Sequence, residues 1–132
     1  MKTKFVSLIF MLFTIISYAQ NTSEIPVQNI STDDGVAYRL FSTKNMYTFI
    51  KLDTRNGRMW QVQWSTKGGD YRFQTSLSDI NLVDKEEEQN GRFFLYPTTN
   101  IYNFVLLDQV DGRAWQVQWS LDAEDRMLIR IY

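Results

Sequence analysis

Two nearly identical stretches, GRMWQVQWS at residues 57–65 and GRAWQVQWS at residues 112–120, decide how this chain is built. They differ only at their third position and start 55 residues apart. In both, the apolar Trp, Val and Trp alternate with Gln, Gln and Ser. A period of two places the three apolar side chains on one face of a β-strand and the polar ones on the other. Each stretch therefore predicts a β-strand inside a repeated unit.

The repetition extends far beyond these strands. Residues 40–65 align with residues 95–120 without a gap, and 15 of the 26 positions are identical. The same register relates residues 23–77 to residues 78–132, so the chain contains two copies of one unit of 55 residues. We predict a first repeat at 20–77, which includes an N-terminal arm, and a second repeat at 78–132, which begins with an acidic connection. Together they should form one compact domain.

A short polar segment that leads into each repeated stretch, and includes its first glycine, predicts a hairpin. It contains an Asn-Gly pair in the first repeat and an Asp-Gly pair in the second. Such pairs favour a two-residue turn of type I′, in which both central residues have positive φ. That turn would place Asp53 opposite Trp60 and Phe49 opposite Trp64. The residues assigned to these turns are Asn56, Gly57, Asp111, Gly112, Asp53 and Asp108.

Each unit contains two further predicted strands, which gives an all-β fold of eight antiparallel strands in two four-stranded meanders. One such sheet cannot bury both of its faces, so we expect a pseudo-twofold β-sandwich or a β-barrel. The alternative is a duplicated α+β unit with a short helix before each sheet, for which residues 79–89 are the candidate helix. The aromatic residues that the alternation assigns to the core are Trp60, Trp64, Trp115, Trp119, Phe49 and Phe104.

The N-terminus carries an export signal. Lys2 and Lys4 precede an apolar run at residues 5–16 that leads to small residues, which is the pattern of a secretory signal peptide at residues 1–19. The run is shorter than the roughly 20 residues of a membrane-spanning helix. We therefore expect cleavage near Ala19, a secreted or periplasmic protein, and no membrane span.

Composition narrows the possible chemistry. The 14 basic and 15 acidic residues leave a formal net charge of −1, which argues against a nucleic-acid partner. There is no His and no Cys, so thiol nucleophiles, imidazole bases and the common zinc sites are absent, and we expect no cofactor and no metal. A hydrolase could use the repeat-related Asp53 and Asp108, since glycosidases work with two carboxylates. A structural role is favoured, because an Asp beside a turn commonly caps it or pairs with an Arg, here Arg58 or Arg113.

Two kinds of binding function remain. The first is an exported, non-enzymatic binding module for a carbohydrate or cell-envelope ligand, and the alternative is a protein-interaction module such as a periplasmic inhibitor or immunity protein, acting as a monomer or homodimer. A concave row of exposed Trp or Tyr would favour the first, and a broad flat patch with Arg and Tyr would favour the second. The candidate binding residues are Gln61, Gln63, Gln116, Gln118, Arg58, Arg113, Tyr47 and Tyr102.

Three resemblances accompany these patterns. The export signal ending in Ala-Gln and the LD…GR.WQVQWS pattern resemble small exported repeat proteins of unknown function from Bacteroidota, which implies no activity. The segment LDTRNGRMW also resembles the repeat of quinoprotein-type propellers, but its Gly-to-Trp spacing is one residue short and two units are too few for a propeller. By architecture alone, the duplicated unit is similar to tandem-repeat inhibitors such as the β-lactamase inhibitory protein.

Overall fold

The computed structural model describes residues 35–132, and the predicted signal peptide with the segment up to residue 34 lies outside the described residues. Runs rich in aromatic and branched side chains form eight short strands in this part of the chain. In chain order these are β1 (Tyr38–Ser42), β2 (Thr48–Asp53), β3 (Met59–Gln63), β4 (Phe73–Ser78), β5 (Phe93–Pro97), β6 (Asn103–Asp108), β7 (Ala114–Gln118) and β8 (Met127–Ile131).

The strands form two separate antiparallel meanders. Sheet 1 has the order β1-β2-β3-β4 and sheet 2 has the order β5-β6-β7-β8. Neither sheet closes into a barrel, and their buried residues form one cluster between them, as in a sandwich. The all-β prediction is confirmed, and the two repeated stretches form β3 and β7, which are interior strands of their sheets.

The alternative with a helix at residues 79–89 is wrong. The connection contains only a single 3₁₀ turn at Lys85–Glu87, which begins with a capping box at Asp84. The backbone N–H of Leu82 donates to the carbonyl of Asn56 at 2.9 Å, and the side chain of Val83 is buried. These contacts hold the chain against the first repeat, where a helix could not make both of them. Similar 3₁₀ turns lie at Gly69–Tyr71 and Ala123–Asp125.

The hairpin loops are longer than the sequence predicts. In the first repeat the N–H of Asp53 donates to the carbonyl of Arg58 at 2.8 Å, so the loop consists of the four residues between them. Gly57 has a φ of 82°, whereas no residue other than glycine among those described has a positive φ. The type I′ assignment is therefore wrong, and the same loop recurs in the second repeat with Gly112 at 80°. Four-residue loops of this kind close a hairpin with one residue in the left-handed region.

The longer loop also shifts the pairing of the strands. Lys51, and not Asp53, lies opposite Trp60, while Phe49 lies opposite Val62. Because the shift is by two residues, every side chain keeps the predicted face of the sheet. The predicted glutamine face therefore still carries Ile50 and Leu52 of β2.

The two sheets bury opposite faces of the repeated unit. In β2 the side chain of Ile50 is fully buried, whereas its neighbour Phe49 is half-buried. In β6 the pattern is inverted, because Phe104, the equivalent of Phe49, is buried and Val105, the equivalent of Ile50, is half-buried. The sandwich thus joins unlike faces of two similar sheets, which a strict twofold relation between the repeats would not do.

This inversion separates the predicted core aromatics into two groups. Those of the second repeat lie in the core: Phe104, Trp115 and Trp119. In the first repeat Phe49 and Trp60 are half-buried, and Trp64 is 40% exposed. The assignment of Trp64 to the core is wrong, and Phe49 and Trp60 are only partly covered, because the alternation shows that these side chains share a face but not whether another sheet covers that face.

Candidate interaction surface

Asp108, one of the two candidate catalytic carboxylates, is fully buried beside the β6–β7 loop. It forms salt bridges with Arg92 at 2.9 Å and with Arg113 at 3.3 Å. The backbone N–H of Val110 donates to the same carboxylate at 2.9 Å. The hydrogen bond to Asp108 raises the pKa of Arg92 above its usual value. The expected pair with Arg113 is present, and this carboxylate is occupied by the contacts that hold the loop.

Asp53, its counterpart in the first repeat, has a different partner. Its carboxylate accepts hydrogen bonds from Nε of Arg55 at 2.9 Å and from the backbone N–H of Arg55 at 3.0 Å. The hydrogen bond to Asp53 raises the pKa of Arg55. Within residues 35–132 the expected partner Arg58 makes no salt bridge, because its guanidinium lies over Trp60, 5.3 Å from the ring centroid. The pairing of Asp53 with Arg58 is therefore wrong.

Two substitutions between the repeats explain why Arg58 lacks an acidic partner among the described residues. Arg113 pairs with both Asp108 and Asp111, whereas in the first repeat Arg55, at the position of Val110, binds the carboxylate of Asp53, the equivalent of Asp108. In the second repeat Arg113 donates from Nε to Asp111 at 2.6 Å, and its backbone N–H together with this ion pair lowers the pKa of Asp111. Asn56 occupies the position of Asp111 in the first repeat and accepts a hydrogen bond from the backbone N–H of Arg58 at 3.1 Å. Among the described residues no group accepts a hydrogen bond from Nε of Arg58. Within residues 35–132, therefore, no carboxylate forms a salt bridge with Arg58.

Gln61 does not face a ligand. Its side chain is 1% exposed, and its amide group binds both backbone groups of Ser120, with Nε2 donating to the carbonyl at 2.9 Å and Oε1 accepting from the N–H at 3.1 Å. The prediction that Gln61 binds a ligand is wrong, because a buried amide needs partners and finds them in the other sheet. Gln61 is a structural contact between the repeats.

The other three candidate glutamines lie nearer the surface. Gln63 donates to the carbonyl of Tyr71 at 3.2 Å and Gln118 donates to that of Asp125 at 2.9 Å. These two therefore hold the loop that follows each repeated strand. Gln116 is exposed and donates to a neighbouring side-chain oxygen on its own sheet at 2.8 Å.

Tyr47 and Tyr102 pack at a tilt against the last Trp of the repeated stretch, with interplanar angles of 52° and 50°. The ring centroids are 5.3 Å apart for Tyr47 and Trp64 and 5.4 Å apart for Tyr102 and Trp119. In each pair the indole N–H donates to a backbone carbonyl of the preceding loop, at 2.8 Å and 3.0 Å. The two pairs have the same geometry, but Trp119 is buried next to Ser120, whereas Trp64 is open to solvent.

A shallow cleft of about 200 Å³ opens beside Trp64. Small-molecule sites usually enclose about 300–1,000 Å³, so the cleft is small for a ligand site. At the edge of this cleft, Nζ of Lys67 lies 5.7 Å from the ring centroid of Tyr71. The residues that line it are Tyr47, Gln63, Trp64, Ser65, Thr66, Lys67 and Tyr71.

The uncovered side of sheet 1 is a flat aromatic and cationic surface. The rings of Tyr38 and Trp60 lie 6.4 Å apart, and Nζ of Lys51 is 4.7 Å from the centroid of Trp60. Tyr38 and Leu40 are more than half exposed. We call this surface face 1 and define it as Tyr38, Leu40, Phe49, Lys51, Arg58, Trp60 and Val62.

Sequence reasoning finds Arg58 but misses Tyr38 and Lys51. A signal for Lys51 is present in the alignment of the repeats, because it stands at the position of Leu106, which is fully buried. A charged residue at a position where the other repeat has a buried leucine indicates a side open to solvent. For Tyr38, whose equivalent is Phe93, the added hydroxyl is a weaker signal of the same kind.

Comparisons with protein-family models, with curated proteins and with solved structures found no match to this chain. Within residues 35–132 no helix is long and apolar enough to cross a membrane.

Proposed function

We propose that the protein is an exported, non-enzymatic interaction module that binds a protein partner through face 1. The observation that carries this proposal is the grouping of Tyr38, which is 51% exposed, with the half-buried Trp60 and Arg58 on the outer face of one sheet. Tyr, Trp and Arg are the residue types that dominate binding energy at protein interfaces. Exposed apolar side chains that share one face, here Tyr38 and Leu40, are typical of interaction sites.

The shape of the surface favours a macromolecular partner over a small ligand. Face 1 is a side of a sheet, and the aromatic side chains of Tyr38 and Trp60 belong to two of its strands, with their ring centroids 6.4 Å apart. The cleft beside Trp64 has about 200 Å³, which is less than a typical small-molecule site. A flat surface with Arg and Tyr is the arrangement expected for a protein-interaction module.

The other parts of the proposal have separate support. The Asp53 and Asp108 carboxylates are each occupied by an arginine and by backbone N–H groups, which favours a structural role over a catalytic one. Export is supported by the signal-peptide pattern at residues 1–19.

The test is site-specific photo-crosslinking in the producing cell. A photoreactive residue replaces Leu40 on face 1, and in the control it replaces Val110, which is equally exposed at 55% but lies in the β6–β7 loop. We expect a protein adduct from position 40 that is absent from position 110 and that Trp60→Ala weakens at least tenfold, the size of a hot-spot effect. If positions 40 and 110 give the same adducts, or neither gives one, face 1 is not an interaction surface.

A second candidate function is carbohydrate binding in the cleft beside Trp64. The favouring observation is that Trp64 and Tyr47 form an exposed, tilted aromatic pair next to the amide of Gln63, since sugars bind to aromatic rings with amides at their edges. Titration with soluble cell-envelope oligosaccharides, followed by tryptophan fluorescence, tests it. We expect Tyr47→Ala to abolish binding and Tyr102→Ala, the equivalent change in the second repeat, to leave it intact, and equal losses would count against the cleft.

A further inference from the structure

Face 1 has a counterpart inside the molecule. Its apolar positions recur, one repeat later, on the buried side of sheet 2: Leu40 as Leu95, Phe49 as Phe104, Trp60 as Trp115 and Val62 as Val117. The arginine above the ring recurs as well, because Arg58 lies 5.3 Å from the centroid of Trp60 and Arg113 lies 5.4 Å from that of Trp115. Face 1 is therefore built like a surface that, in the second repeat, another sheet covers.

The outer side of sheet 2, apart from Phe94, whose ring packs against Phe41 of sheet 1 at 5.2 Å, is equivalent to the surface that does the covering. Its positions match the buried side of sheet 1: Val105 matches Ile50, Leu107 matches Leu52 and Gln116 matches Gln61. We call this side face 2 and define it as Asn103, Val105, Leu107, Gln116, Ile129 and Ile131. None of these six residues is charged, and Ile129 and Ile131 are 51% and 47% exposed. A sheet face of this composition is typical of a contact surface and not of a solvated one.

The polar contact between Gln61 and Ser120 also has repeat equivalents of both its partners, and these lie outside the interface between the sheets. Within the chain, the buried amide of Gln61 binds the backbone N–H and carbonyl of Ser120. By the repeat, the equivalent amide is Gln116 on face 2 and the equivalent backbone belongs to Ser65, which follows β3. The two pieces lie on different sheets of one molecule, so only a second molecule can bring them together in the same way.

We propose that copies of this chain associate head to tail, with face 2 of one copy packed on face 1 of the next. This inference rests on the proposed function of face 1 and names its partner as a second copy of the chain. The contact repeats, between chains, the contact that already joins the two sheets within each chain. Since the two faces differ, the contact is heterologous and forms a closed ring or an open chain. Radially closed arrays hold about four to eight such sheets, which corresponds to about two to four copies.

Lys51 is the position at which the two contacts differ most. Its equivalent Leu106 is fully buried between the sheets, whereas Lys51 lies over the rings of Trp60 and Tyr38. Burying an ammonium group opposes association unless the group is paired. Lys51→Leu, which introduces the residue of the second repeat, should therefore strengthen association, and this outcome is opposite to that of an ordinary interface mutation.

The experiment measures the mass of the purified exported protein by light scattering and sedimentation velocity over a wide range of concentrations. We expect the mass to rise with concentration towards two to four copies, and Lys51→Leu to lower the concentration needed at least tenfold. Ile129→Lys on face 2 should raise that concentration at least tenfold. The matched control, Val110→Lys, replaces an apolar residue of similar exposure outside both faces and should change nothing. Circular dichroism establishes that each variant is folded.

Several results would overturn the proposal. These are a monomer at every concentration for both the wild type and Lys51→Leu, or equal effects of Ile129→Lys and Val110→Lys. A further outcome is a monomer in which Trp60 is shielded from a soluble quencher. In that case face 1 is covered by residues of the same chain that precede position 35, and not by a second copy. A monomer that crosslinks from position 40 to a different protein would remove self-association while leaving the proposed function in place, and a monomer without adducts would remove both.

Discussion

The two repeat-related aspartates offer a sharp test of what burial does to an ion pair. Asp108 and Asp53 hold equivalent loops, and both are almost fully buried. Their partners differ, because the side chain of Arg92 is 6% exposed and that of Arg55 is 34% exposed. Removal of either carboxylate breaks a salt bridge, but the loss of Asp108 leaves the buried Arg92 with only the more distant carboxylate of Asp111, at 3.4 Å, whereas Arg55 can reach water.

The expected magnitudes follow from that difference. Asp108→Ala should lower the free energy of unfolding by about 3 kcal/mol, the lower end of the usual cost of removing one partner of a buried pair, because Asp111 still compensates part of the charge of Arg92. Asp53→Ala should cost about 1–2 kcal/mol, because Arg55 can turn into solvent and the loss is mainly that of hydrogen bonds within the loop. A gap of about 1–2 kcal/mol corresponds to roughly 4–8 °C in melting temperature for a domain of this size.

Urea unfolding followed by tryptophan fluorescence measures both variants. A third protein, Asp108→Ala with Arg92→Met, also lacks the buried guanidinium of Arg92. It should regain at least half of the stability that Asp108→Ala loses. If Asp53→Ala and Asp108→Ala cost the same, or if the double variant is no more stable than Asp108→Ala, then burial of Arg92 is not the reason for the difference.

Three further predictions compare equivalent positions. Gln61→Ala should cost about 1–3 kcal/mol in urea unfolding because two backbone groups between the sheets lose their partner, whereas Gln116→Ala should stay within about 0.5 kcal/mol, and equal costs would contradict the structural role. Gly112→Ala should cost about 1–2 kcal/mol for its positive φ, and Gly57→Ala more, because a Cβ there would lie 2.7 Å from a leucine side chain while position 112 has nothing within 4 Å. The pKa of Asp111 is lowered from its ordinary value of 3.8, so its contribution is complete above that pH and is lost as the pH falls through the folded-state value. When the pH is lowered from above to below 3.8, thermal unfolding should therefore show a smaller loss of stability for Asp111→Asn than for the wild type. If the two proteins have the same pH dependence, this ion pair is not a source of the stability lost in acid.

The local patterns of the sequence predict the fold well. The alternation around Trp60 and Val62 predicts β3 and its faces, and the 55-residue repeat predicts the second sheet from the first. The turn type was harder to predict, because Asn56-Gly57 fits two loops of different length. The side chain of Asp53, which accepts the backbone N–H of Arg55, is part of the longer one.

The candidate surface was predicted only in part. Arg58 was found because it stands beside the turn, but its release from an acidic partner depends on Asn56, whose effect is visible only once the loop geometry is known. Gln61 is buried and Gln116 is exposed, although within the repeated stretches their sequence contexts differ only at Met59 and Ala114, two residues before each glutamine. Met59 shares the face of Gln61 and is itself fully buried, so this apolar side chain is the local difference that accompanies the burial.

The sequence by itself determined the secondary structure, the duplication and which side chains share a face, because these depend on short-range periodicity. Tertiary structure decided which face of each sheet is covered, and in the sequence only contrasts between the repeats, such as Lys51 against Leu106, indicate it. The two copies of WQVQWS have the same alternation, so either face of either strand could meet the other sheet. The packing buries the glutamine face of the first copy against the tryptophan face of the second, and it thereby leaves Trp60 and Gln116 at opposite outer surfaces of the molecule.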